Sequence, residues 1–114
     1  IISCYTIQFT NLSIRQNIFD KIYSSLNYGG GFLIFEKVRA PDARFQDYSN
    51  LIYDEYKLEN GFSEKNIVSK TLSLKGVLEP FSENGNLDLF KRSGFKDINT
   101  IFKWNCFQGW LLIK

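Results

Sequence analysis

Three consecutive glycines, Gly29-Gly30-Gly31, separate two apolar patterns of different period, and that break limits what this chain can become. Before it, Ile14, Ile18, Ile22 and Leu26 recur every fourth residue, as on one face of a helix, and Ser13 with Gln16 reads as a capping box at its start. After it, Phe32-Leu33-Ile34-Phe35, continuing to about Val38, is a continuous apolar run that predicts a central strand buried on both faces. Upstream, Ile1 to Phe9 is rich in β-branched and aromatic residues and predicts a buried strand running into a loop. Strand, helix over 13–26 and strand with short connections form a βαβ unit, so the class is α/β. The glycines follow a helix and precede a strand. A phosphate-binding loop has the opposite order, so they are read as a turn.

Past Pro41, Asp42 is placed to cap a long helix through Phe45, Tyr48, Ile52 and Tyr56, stopped by Asn60-Gly61. Its aromatics at helical spacing read as core or interface, with a lid or dimer surface as the alternative. Another helix opens at Ser63 with Ile67, Leu72 and Leu74 as an imperfect stripe, and Gly76 and Pro80 break it. Leu87, Leu89 and Phe90 predict a short helix ending at Gly94. Ile98–Trp104 and Gly109–Ile113 then read as strands. Their connection is far shorter than the dozen residues a parallel crossover needs, so they pair antiparallel at the edge of an otherwise parallel sheet. No repeat or linker interrupts residues 1–114, which read as one unit.

The 114 residues contain no His, which removes Ser-His-Asp and Cys-His nucleophile systems and His-ligated zinc. The two cysteines, Cys4 and Cys106, stand at opposite ends without metal-ligand spacing and read as free, buried thiols in a reducing cytoplasm, so no metal site is expected. A formal net charge of +2 and a pI of 8.6 fall short of a nucleic-acid binder's basic signature. Residues 63–114 are mildly basic, with eight Lys+Arg against five Asp+Glu. Lys70, Lys75, Lys91, Arg92 and Lys96 form either a solvated face or an approach for an anionic substrate. No apolar run approaches the roughly 18 residues of a membrane span. The chain opens at Ile1 without Met, which predicts a piece of a longer protein.

In open α/β sheets, ligands bind beyond the C-terminal ends of the parallel strands. That rule selects Cys4 to Gln8 and Glu36 to Arg39. Thr6 and Gln8 read either as ligand contacts or as groups satisfied by nearby backbone. Glu36 and Lys37 read as an ion pair in preference to a site.

Tyr5-Thr6-Ile7-Gln8-Phe9, Leu26-Asn27 with Gly29-Gly30, Glu36-Lys37, Asp42-Ala43, Asn60-Gly61-Phe62-Ser63-Glu64, Ile67 and Ser93-Gly94-Phe95 occur in this order along nearly the whole chain. In that order and spacing the chain resembles the carboxy-S-adenosyl-L-methionine synthase family of the tRNA wobble-uridine pathway. More broadly it is similar to the C-terminal half of class I S-adenosylmethionine-dependent methyltransferases. The resemblance implies a Rossmann-like sheet lacking its N-terminal cofactor-loop half, and S-adenosylmethionine or a carboxylated derivative as cofactor. It implies that Cys4, Tyr5, Thr6 and Gln8 line the donor side while Lys70 and Thr71 lie near the acceptor. Cys4 stands where that family carries an Asn, and Thr71 where it carries an Arg for the donor's carboxylate. Plain methyl transfer to an unknown acceptor is therefore favoured over carboxylated-donor synthesis. A sulfonium donor is already activated, so positioning suffices and no catalytic residue is assigned. A degenerate interaction module, dimerising through the 42–62 helix, is the non-enzymatic alternative. Direct nucleic-acid binding is not implied.

Overall fold

The computed structural model describes residues 1–114. The chain runs β1 (Ile2–Cys4), a 3-10 turn (Ile7–Phe9), α1 (Leu12–Ser25), β2 (Gly31–Lys37), α2 (Ala43–Glu59), α3 (Glu64–Ser73), α4 (Glu83–Ser93), β3 (Asp97–Trp104) and β4 (Phe107–Ile113). One sheet has the order β1-β2-β4-β3. β1 and β2 are parallel, while β4 lies antiparallel to both β2 and β3. The architecture is α/β with a closing antiparallel hairpin, as the connection lengths require.

α1 and α4 cover one face of the sheet. Phe19, Phe32, Ile34, Phe90, Trp110 and Leu112 are fully buried there. Phe19 meets Phe90 with ring centroids 5.2 Å apart, and Phe90 meets Trp110 at 5.5 Å, both edge to face. β2 buries only alternate residues, contrary to the expected two-sided burial, because no helix is laid over its second face. β1 is shorter and more open than expected: Ile2 is 70% exposed, and Cys4 is exposed where a buried thiol was expected. Its second edge has no neighbouring strand to shield these side chains.

Local chemistry shifts several helix starts. Asn11, not Ser13, caps α1, its Oδ1 accepting from the Ser13 amide at 2.9 Å. Gln16 is thereby free of capping and donates instead to Ser93 Oγ at 2.7 Å, tying α1 to α4. α4 begins four residues before Leu87, because Ser82 accepts from the Gly85 amide and carries the weak helix formers Asn84, Gly85 and Asn86 into the first turn. Asp42 and Ser63 cap α2 and α3 as expected.

α2 departs furthest from the sequence reading. It buries no residue, and Phe45, Tyr48, Ile52 and Tyr56 are between 46% and 58% exposed, so they are not core. The helix stands outboard of the sheet, touching it through Tyr53 and Tyr56 against Trp104 and Phe107. Leu72, expected on the apolar stripe of α3, is likewise exposed, whereas Ile67 is buried. No helix is long and apolar enough to cross a membrane.

Candidate functional site

A cavity of about 760 Å³ opens where β1 and β2 end, between the loop after β1, α2 and the segment joining α3 to α4. Tyr5 and Gln8 line one wall; Lys70 and Thr71 line another. Residues far apart in sequence, expected on the donor and acceptor sides, thus face one space. Cys4 and Thr6 do not line it. The Thr6 hydroxyl donates to the Cys4 carbonyl at 3.0 Å, the local backbone satisfaction that was one of its two readings.

Tyr5 reaches the cavity by an unusual backbone. Its φ of 53° lies in the left-handed region, which an aromatic residue adopts only when its surroundings enforce it. The enforcing contacts are the Tyr5 amide donating to the Phe35 carbonyl at 2.8 Å and the ring packed edge to face on Phe107, centroids 5.6 Å apart. Burial, reinforced by Cys4, Cys106 and Glu36, raises the phenol's pKa, so Tyr5 presents a neutral hydroxyl.

Gln8 is buried and serves the loop as a strap. Its Oε1 accepts from the Lys37 amide at 2.7 Å, closing the end of β2. Its carbonyl accepts from Arg15 Nη2 at 2.8 Å and from the Glu79 amide, fixing the loop to α1 and to the far rim of the cavity. Arg15, itself buried, also donates to the Thr10 carbonyl and lies over the Phe81 ring at 4.8 Å. The sequence reading missed Arg15. The signal was a guanidinium inside an otherwise apolar helix face, beside Ile14 and Ile18.

The cavity is strongly cationic. Lys37, Arg39, Lys57, Lys70 and Lys75 line it against one carboxylate, Glu79. Lys57 and Lys37 both approach the face of Tyr53, at 4.3 and 5.1 Å from its centroid, which gathers two ammonium groups around one electron-rich ring. Asp54 pairs with Lys57 at 2.7 Å. With neighbouring cations unmatched, the space favours an anionic group.

Glu36 and Lys37 do not form the expected ion pair. Successive strand residues point to opposite faces, so Lys37 turns to the cavity and Glu36 into the core. Burial pushes the Glu36 carboxyl up to about 7, against the lowering influence of the Gln8 and Ile7 amides and of Arg15. Gly29, with φ of 77°, ends the α1–β2 connection as a turn, its amide donating to the Lys114 carbonyl at 2.7 Å.

No family model matches the chain. It is 39% identical over 114 residues to a carboxy-S-adenosyl-L-methionine synthase of Staphylococcus epidermidis, covering 100% of this chain and 50% of that protein. It is 38% identical over 113 residues to the synthase of Campylobacter lari, covering 99% of this chain and 48% of that one. The chain spans about half the length of the curated relatives it matches. Human N-acetylserotonin methyltransferase, solved in complex with S-adenosylmethionine, superposes with a TM-score of 0.61 at 14% identity, covering 99% of this chain and 28% of that one. At that identity the match shows the fold alone, an α/β sheet of the kind that methyltransferase contains.

Proposed function

Because this chain is a relative of the carboxy-S-adenosyl-L-methionine synthases along its whole length, we propose that it forms the acceptor-side half of an S-adenosylmethionine-dependent enzyme with an anionic co-substrate. The observation that carries the reading is the single cavity lined by Tyr5 and Gln8 on one wall and by Lys70, Thr71 and four further cations elsewhere. Thr71 offers no charge to a carboxylate, which weighed against carboxylated-donor synthesis in the sequence. Lys70, the preceding residue, and Lys37, Arg39, Lys57 and Lys75 supply that charge from other elements. Synthesis of a carboxylated donor is therefore the first reading.

The residues here fit one wall of a donor site and no more. Tyr5 offers a neutral hydroxyl, Gln8 lies in the loop that ends β1, and Cys4 and Thr6 stand outside the cavity. S-adenosylmethionine, when bound, would supply a sulfonium-activated methyl group, electrophilic in methyl transfer and, once deprotonated, nucleophilic in carboxylation. This chain's part is to position an anion near it and to hold the loop rigid through Gln8 and Arg15. Positioning alone serves methyl transfer; carboxylation of the donor's methyl group also releases a proton, and in a chain with no His the anionic co-substrate is the base that takes it.

Plain methyl transfer is the second reading, favoured by the exposed Cys4 at the family's Asn position. Titrating S-adenosylhomocysteine into the full-length protein by calorimetry tests both; micromolar binding is expected. Mass spectrometry of the donor after turnover then separates them. A carboxylated sulfonium supports synthesis, and demethylated donor with a methylated acceptor supports transfer. Absence of binding would overturn both and leave an interaction module built on the exposed face of α2.

A further inference from the structure

The cations that line the cavity are not equivalent. Lys70, at the end of α3, and Lys75, in the turn after it, are in no ion pair and lie over no aromatic ring. Lys37 and Lys57 come from different elements, the end of β2 and the last turn of α2, and both heads stop at the Tyr53 ring.

That ring is itself fixed. It packs edge to face on Phe107 at 5.2 Å between centroids and on Trp104 at 6.3 Å, so the β3–β4 hairpin sets where its face lies. Lys37 is held through its backbone, the amide donating to Gln8 Oε1, and Lys57 through its charge, by Asp54. A lysine head ordinarily samples many rotamers, and ordering it on binding weakens an anion site. Attraction to a ring face removes part of that freedom beforehand and leaves N–H donors free for an acceptor. Burial, reinforced by Cys106, Tyr56, Asp54 and Tyr5, raises the Tyr53 pKa, so the phenol brings no negative charge to compete with an anion. The Tyr5 ring packs on the same Phe107, which sets the cluster beside the wall read as the donor side.

We propose that Tyr53 is a positioning residue whose ring holds the Lys37 and Lys57 ammonium groups as the anchor for a carboxylate of the co-substrate. The proposal rests on the reading of this cavity as the site of an anionic co-substrate. Tyr53 acts through the two lysines and not on the reacting atoms.

The test is calorimetric titration of malonate into the full-length protein, with the neutral diamide malonamide as control. Saturable binding of malonate and none of malonamide is expected. Tyr53→Leu and Lys37→Gln should each weaken malonate by about tenfold or more, whereas Tyr53→Phe, which keeps the ring face, should change it by less than about twofold. Lys65→Gln, which removes a charge of α3 outside the cavity, should change it as little. Because the ring works through the lysines, adding Tyr53→Leu to Lys37→Gln with Lys57→Gln should cost nothing further, a non-additivity that loosening of α2 would not produce. Absence of saturable malonate binding, equal binding of malonamide, a Tyr53→Phe loss as large as that of Tyr53→Leu, or additive losses overturns the proposal. If Tyr53→Leu does not fold, indifference of malonate to Lys37→Gln and Lys57→Gln overturns it alone. S-adenosylhomocysteine is titrated into the same proteins, and its affinity should be unchanged by every substitution. Its failure to bind the parent would remove the enzyme reading, while the malonate titrations decide the anchor separately.

Discussion

Glu36 is a carboxyl group placed where only its protonated form is comfortable. It is buried, its Oε1 has no hydrogen-bond partner, and its pKa is pushed up to about 7 by desolvation. A folded-state pKa above the unfolded value means the native chain holds the proton longer, so stability falls as pH rises from the unfolded value of about 4.5 through about 7. The loss over that window is on the order of 3 kcal/mol. Melting temperatures of wild type and Glu36→Gln measured from pH 4 to 8 should diverge across it, the variant gaining on wild type as pH rises. Parallel curves would remove the buried charge from the account. Lys70 is expected to act differently. On the exposed side of the cationic cavity, Lys70→Ala should raise KM for the anionic co-substrate about tenfold with little change in kcat or melting temperature, since it removes attraction and no packing. At this scale the sequence singled out the stretch from Cys4 to Gln8, of which Tyr5 and Gln8 line the cationic cavity and Cys4 and Thr6 do not. It was silent on Arg15, whose role depends on carbonyls of a loop that only the tertiary fold curls back over α1.

Whole elements are held by contacts that leave little trace in periodicity. α2 has no buried residue, yet Ser49 Oγ donates to Asn105 Oδ1 at 2.8 Å, and Asn105 Nδ2 returns a bond to the Ser49 carbonyl at 2.9 Å. The same Asn105 occupies the β3–β4 turn with φ of 48°, a conformation Asn tolerates better than most residues. One side chain thus closes the hairpin and clasps α2 to it. Asn105→Ala should cost about 1–3 kcal/mol by losing both functions, and Asn105→Gly less, since glycine restores the turn. Hydrogen exchange should show faster opening of α2 in both variants; if Gly restores α2 protection fully, the clasp is not what holds the helix. Gly94 makes a complementary case at the end of α4, with φ of 112° and a Cβ position 2.8 Å from the Tyr23 ring. Gly94→Ala should destabilise by about 1–3 kcal/mol in chemical denaturation. The hairpin was legible from its short connection, and the α2 and α3 caps from Asp42 and Ser63. The starts of α1 and α4 were not, because Asn11 and Ser82 act through hydrogen-bond geometry that outweighs the apolar pattern behind them.

The 114-residue chain is more open than its size requires. Its radius of gyration is 15.4 Å and its extents are 47 × 26 × 25 Å, where a compact chain of this length has a radius of roughly 13 Å. Its accessible surface is 7461 Å², against roughly 6,450 Å² for a compact monomer of this mass. Apolar side chains on α2 are among those exposed, Tyr48, Leu51 and Ile52 each at least half so. This is the surface the sequence reading left open between core and interface. The fold excludes core, since a helix standing outboard of the sheet cannot bury two faces. A second copy of the chain is the occupant the helix's own character favours: a 17-residue amphipathic element can pair with itself about a two-fold axis, matching apolar stripe to apolar stripe. Sedimentation velocity of the full-length protein over a concentration series should therefore show a dimer, and Leu51→Lys with Ile52→Lys should weaken it by about tenfold or more. Neither position is buried, so the variant should melt like its parent. A monomer at every concentration, or a dimer indifferent to two charges placed on the stripe, would assign this face to another partner.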